Sequence, residues 1–186
     1  MGEPSPGASP IDPAVAEQQV RLEIPVVPGV GSGPNELAAF DAALVDAGVA
    51  DRNLIRLSSV IPPASVITEP DGPVAAPGGW GDRLYVVMAE ARTSNLHDRL
   101  AAGIGWVQEP VTGRGLFVEH EGHTVEEVET HIRDSLDSLT RSRDVEFGDV
   151  HMRLSTTVCE GPAACALVVA VFDAVPWTGA PVGSEG

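Results

Sequence analysis

The chain contains no lysine: all eleven of its basic residues are arginines. Without an ε-amine there is no intrinsic lysine nucleophile, no lysine Schiff base and no anchor for pyridoxal phosphate. The lysine of a phosphate-binding P-loop is excluded as well. Any carbonyl–amine chemistry must therefore draw the amine from a substrate and the carbonyl from the protein.

Cysteine is scarce too, with Cys159 and Cys165 forming neither a CxxC pair nor a disulfide framework. Cys165 lies in an apolar run and reads as a small buried hydrophobe. Cys159, next to the turn-like "EGPAA", reads as an inert thiol. Long apolar runs are also missing. The longest, "AACALVVAVF" at 163–172, is strand-sized and β-branched, so no membrane contact is expected. No basic stretch followed by an apolar one opens the sequence, which indicates no secretion signal and makes a cytoplasmic location the expectation. Positive charge is in deficit: 27 acidic against 11 basic residues give a formal net charge of −16. Nucleic acid is thereby excluded as an expected partner, because phosphate binding needs a basic surface. Such a surface attracts cations, including cationic small molecules, and favours solubility. No GxSxG elbow supports a serine hydrolase.

The remaining composition, 43% hydrophobic over 186 residues, suits one domain with a sizeable core. Residues 1–18 are rich in Pro, Gly, Ser and Ala and read as a disordered tail, as does "PWTGAPVGSEG" at 176–186. A single domain over 19–175 is expected between them. "VRLEIPVV" reads as a first strand and "PGVGSGPNE" as a loop. "ELAAFDAALVDAG" reads as a helix with Leu37, Phe40, Ala43 and Leu44 on its buried face and Gly48 as its C-cap. Strands follow at "NLIRL", "RLYVVMAEA" and "GRGLFVEHEG", with a turn-rich stretch over 62–83 and a partly stranded one over 95–108. Val125, Val128, Ile132, Leu136 and Leu139 define the clearest helix, with Thr124 as its N-cap. "VEFGDVHMRLSTTV" and "ACALVVAVF" read as two long closing strands, and their adjacency favours antiparallel pairing with each other. The pattern is a layered α/β sandwich with helices covering sheet faces. His123, Glu127 and His131 share a helix face at metal-binding spacing. Their face is the polar one, opposite the apolar stripe, so a solvated surface is expected and no metal.

One stretch, "NLIRLSSVIPPAS" at 53–65, departs from ordinary strand grammar. An apolar strand ends in paired serines and is then stopped by Pro62-Pro63, neither of which can donate to a ladder. Together with "GVGSGPNELAAFDAALVDAG" before it and "GLFVEHEG" after it, this stretch resembles the pyruvoyl-dependent arginine decarboxylases. The resemblance extends over most of 20–172. It implies an αββα sandwich of mainly antiparallel sheets, assembled as a homotrimer or a multiple of trimers with the site between subunits.

The resemblance further implies self-cleavage between Ser58 and Ser59. Ser59 Oγ attacks the Ser58 carbonyl, the resulting ester undergoes β-elimination, and the dehydroalanine left at position 59 hydrolyses to a covalent pyruvoyl group. Such a ketone accepts the substrate's own α-amine, which accords with the absence of lysine and needs neither pyridoxal phosphate nor metal. By the same resemblance Glu119 protonates the α-carbon after decarboxylation. Glu121 projects from the same strand face, and the sequence does not separate the two. Asn53 is implied to assist processing or substrate positioning, and Asp41 to pair with a substrate guanidinium. The family's Leu-Asn-Ala-Phe-Asp is here Leu37-Ala38-Ala39-Phe40-Asp41. The implied reaction converts L-arginine to agmatine and carbon dioxide, in polyamine biosynthesis. The alternatives are a different amino acid as substrate, or an unprocessed trimeric relative acting as a binding or scaffold protein.

Overall fold

The computed structural model describes residues 21–177, which form four layers. The outer layers are two helices, α1 (Glu36–Ala47) and α2 (Val125–Arg141). The first sheet contains β1 (Leu22–Gly33), β2 (Asn53–Arg56), β4 (Ser65–Thr68), β5 (Arg83–Thr93) and β9 (Ala163–Val175), in the order β2-β5-β9-β1-β4. The second contains β3 (Val60–Ile61), β6 (Arg99–Gln108), β7 (Gly115–Gly122) and β8 (His151–Val158), in the order β3-β7-β6-β8. Pairing is antiparallel throughout the second sheet. In the first sheet β1/β4 and β2/β5 are parallel. The expected αββα sandwich of mainly antiparallel sheets is the observed architecture.

β9 shows how the layers are built. Ala164, Ala166, Val168 and Ala170 point into the core between the sheets, while Cys165, Leu167, Val169 and Val171 point toward α1. Both faces are covered, which is why the run reads as continuously apolar. Both cysteines are buried free thiols, and burial pushes Cys165 up to about 11. α2 lays Val128, Ile132 and Leu136 on the outer face of the second sheet. Burial of each such side chain contributes about 1.5–3 kcal/mol. Thr124 is its N-cap as expected, accepting the Glu127 N–H at 3.2 Å.

Several expectations are corrected. Residues 28–33, expected as loop, continue β1 to Gly33. A Cβ on Gly29 or Gly31 would stand 2.3 or 2.2 Å from the carbonyl oxygens of Ala43 and Ala39. The glycines are therefore in the strand so that α1 can press its Ala39–Ala43–Ala47 face onto it. For the same reason Leu37, expected on the buried face, is exposed, and the helix buries its small residues instead. Gly48 does cap α1, at φ 80°. Residues 99–108 form a full strand, β6, at the centre of the second sheet, and β4 lies within the stretch read as turns. The closing strands do not pair with each other: β8 begins only at His151 and pairs with β6, while β9 lies in the other sheet between β5 and β1. Residues 159–162 carry the chain across. Pro176 and Trp177, expected in a disordered tail, are both engaged with Arg83. The remaining expectations for 1–18 and 178–186 lie outside the described residues.

Candidate active site

The paired serines lie where the chain changes sheets. Leu57 still donates its N–H to Val86 O at 2.9 Å, extending the β2/β5 pairing. Two residues later the Ser59 carbonyl accepts the Phe117 N–H at 2.8 Å, opening the β3/β7 pairing. Ile61 then anchors the short β3 in the inter-sheet core. The Ser58–Ser59 peptide thus bridges two sheets, with a firm attachment on each side. Ser59 turns the corner with φ 64°. This left-handed conformation costs a non-glycine residue on the order of 1–3 kcal/mol and persists only where the surroundings impose it. Ala64, at φ 60°, closes the other end of Val60-Ile61-Pro62-Pro63. The rigid proline pair is held between two left-handed residues.

The Ser59 hydroxyl donates to Glu119 Oε1. Glu119 is half-buried within β7, whereas Glu121, two residues on, is exposed. The alternation that left the two carboxylates equivalent in the sequence is thereby resolved in contact terms: Glu119 meets Ser59. An open pocket of about 380 Å³ adjoins Glu119, lined also by Arg56, Met88, Ala89, Glu90, His120 and Glu121. Arg56 bonds Glu90 at 2.9 Å, and Glu90 bonds Arg92 at 2.6 Å. Arg92 in turn lies over the Phe40 ring at 3.7 Å. His120 contacts Ser135 Oγ through Nε2 at 2.8 Å, with its ring 5.6 Å from that of His131. Burial, reinforced by His131 and opposed by Glu119, lowers the His120 pKa.

Two expected site residues are not brought to Ser59 within the chain. Asn53 starts β2 and donates Nδ2 to Gly81 O at 2.5 Å. Asp41 is exposed on the solvent side of α1. A larger crevice of about 790 Å³ lies between α1 and the β8–β9 connection, and neither Ser59 nor Glu119 lines it. Of the helix-face trio, Glu127 accepts the His123 N–H at 2.9 Å and so completes the helix cap. Among the described residues no three His, Cys, Asp or Glu side chains converge as metal ligands. Also among them, no helix is long and apolar enough to cross a membrane.

The sequence did not reveal the Phe117 N–H, a backbone group that carries no side-chain signal. Arg56 and Glu90 were also missed. Glu90 did leave a trace, as the lone carboxylate inside the apolar "YVVMAEA".

Residues 23–175 match the family described as pyruvoyl-dependent arginine decarboxylase. The chain belongs to this family. It is 35% identical over 149 residues to the pyruvoyl-dependent arginine decarboxylase of Halobacterium salinarum, covering 77% of this chain and 89% of the relative. It is 32% identical over 152 residues to that of Methanopyrus kandleri (78% and 92%), and 32% over 144 residues to that of Thermococcus kodakarensis (75% and 88%). Membership favours a decarboxylating enzyme over a non-catalytic scaffold, and implies a covalent pyruvoyl group. The residues present fit that group. A serine hydroxyl held on a carboxylate, at a strained corner following an exposed Ser58, is what its formation from the chain requires.

Proposed function

We propose that the chain cleaves itself between Ser58 and Ser59 and then decarboxylates L-arginine to agmatine. The contact between Ser59 Oγ and Glu119 carries this reading. Glu119 accepts the hydroxyl proton as Oγ adds to the Ser58 carbonyl carbon. The proton passes to the departing Ser59 nitrogen, and an ester replaces the peptide bond. Loss of the Ser59 α-proton then expels the Ser58 carboxylate and leaves dehydroalanine. Addition of water and release of ammonia complete the group, giving chains 1–58 and 59–186. Relief of the left-handed strain at Ser59 favours the first step.

When formed, the pyruvoyl group supplies a ketone that takes up the substrate amine and withdraws the electrons freed with carbon dioxide. Glu119, no longer bonded to a hydroxyl, is the proton donor to the α-carbon. Asp41 accepts the substrate guanidinium, a planar fork that a carboxylate binds bidentately. In the pocket lining Glu119 and Glu121, which unlike Glu90 are in no ion pair with an arginine among the described residues, support a cationic amino acid. Because Asp41 and Asn53 stand apart from Ser59 in one protomer, they reach the Ser59 of a neighbour. The working unit is a homotrimer or a multiple of it, in the cytoplasm, each protomer one domain over 19–175.

The test is complementation. Ser59→Ala chains, inactive alone, and Asp41→Asn chains, impaired alone, are mixed after mild denaturation, and agmatine is measured. Recovered activity is expected. Active Ser59→Ala protein, or no agmatine from the wild type, contradicts the reading.

A further inference from the structure

Trp177 is 64% exposed, an expensive place for a large ring, yet its one polar side-chain atom is bonded. Its Nε1–H donates to Gly81 O at 2.8 Å, and the same carbonyl accepts Asn53 Nδ2 at 2.5 Å. Arg83 lies with its guanidinium 4.6 Å from the centre of the Trp177 ring and donates Nη2 to Pro176 O at 3.0 Å. Arg83 is also the residue directly opposite Asn53 in the parallel β2/β5 pairing. The peptide before Gly81 is held as well, its N–H donating to Asp51 O at 2.7 Å, and the residue's φ of 78° suits glycine. Asn53, itself exposed, thus joins a ring of contacts that runs from its strand neighbour through the two residues after β9 to one shared carbonyl. A carbonyl can only accept, so this arrangement decides the orientation of the amide: Nδ2 is committed and Oδ1 is the atom left for a ligand.

We infer that Trp177 is a positioning residue for Asn53, acting through Gly81 with Arg83 as its brace. The inference rests on the proposal that Asn53 serves processing or substrate positioning. Removing the ring frees Gly81 and lets the Asn53 amide rotate. Misplacement of a group on this scale slows the step it serves by about tenfold to a hundredfold.

Trp177→Ala, Trp177→Phe, Asn53→Ala and the Trp177→Ala/Asn53→Ala double variant are compared in full-length protein. Chain scission and arginine turnover are timed separately, with Tm alongside. Whichever step Asn53→Ala slows, Trp177→Ala slows too. Trp177→Phe, which keeps an aromatic ring for Arg83 but loses the indole N–H, recovers part of the rate. The double variant is no slower than Asn53→Ala, since both losses act through one group. Full additivity in the double variant overturns the inference, as does a lowered Tm with unchanged rates. If Asn53→Ala slows neither step, the role of Asn53 itself fails and the inference falls with it. If Asn53→Ala slows a step and Trp177→Ala does not, only the inference fails.

Discussion

The Ser59 hydroxyl rests on the Glu119 carboxylate, while the backbone N–H of Phe117, two residues earlier on the same strand, holds the Ser59 carbonyl at 2.8 Å. One strand thus grips one serine twice, by side chain and by backbone. It does so at the point where the chain passes between sheets. The peptide to be broken is strained, and both of its flanks remain bonded to different sheets. Scission therefore releases strain without releasing either fragment.

Glu119→Gln is expected to slow scission by about 10²–10⁴-fold, the usual worth of a positioned general base. An amide still accepts a hydrogen bond from Ser59, so the corner keeps its shape and only proton removal is lost. A time course of fragment appearance on denaturing gels measures this. Scission at the wild-type rate would remove Glu119 from the mechanism.

Asp41→Asn leaves scission intact and lowers kcat/KM for arginine by about 10–100-fold, the worth of a hydrogen bond to a charged group. Steady-state agmatine formation and intact mass separate the two effects. Unchanged arginine kinetics would mean that another carboxylate reads the guanidinium.

Gly31→Ala destabilises the fold. The added Cβ meets the backbone oxygen of Ala39 at 2.2 Å, and neither strand nor helix backbone yields easily. Overpacking of this kind costs about 1–3 kcal/mol. Gly72→Ala, with nothing within 4 Å of its Cβ, is the control and is expected near neutral. Urea unfolding of both compares them.

Stability falls on the acid side through His120. Burial, then the charge of His131, lowers its folded pKa below the ordinary value, with Glu119 opposing. The unfolded chain therefore takes up the proton first, and stability declines as pH drops below about 6.5. The decline ends once pH passes below the lowered folded value. A Tm series from pH 8 to 5 shows this. His120→Asn, which cannot charge, is expected to show a shallower slope in that window.

Much of this was legible in the sequence because its signals act locally. The 3.6-residue spacing of Val128, Ile132 and Leu136 and the cap at Thr124 define α2 without help from the rest of the chain. Ser58-Ser59 followed by two prolines marked the corner because no ordinary strand ends that way. Tertiary demands were harder to read. Gly29 and Gly31 look like a loop until α1 is seen pressing on them, since absent side chains signal flexibility and close approach alike. The same contact turned Leu37 outward and Ala39 inward. β8 and β9 follow each other in sequence, yet the four residues between them cross the sandwich, a choice made by the whole sheet order. Asn53 and Asp41 carried family signals of their own, but nothing local says that one chain cannot bring them to Ser59.

The most direct measurement is the intact mass of the purified protein under denaturing conditions, beside a Ser59→Ala control. Two chains splitting after Ser58 are expected, the larger beginning with a blocked residue at position 59 that gives no amino-terminal reaction. Ser59→Ala stays whole. A single chain of full mass in both samples after prolonged incubation would contradict self-cleavage, and would leave the bond between Ser59 and Glu119 as a structural contact alone.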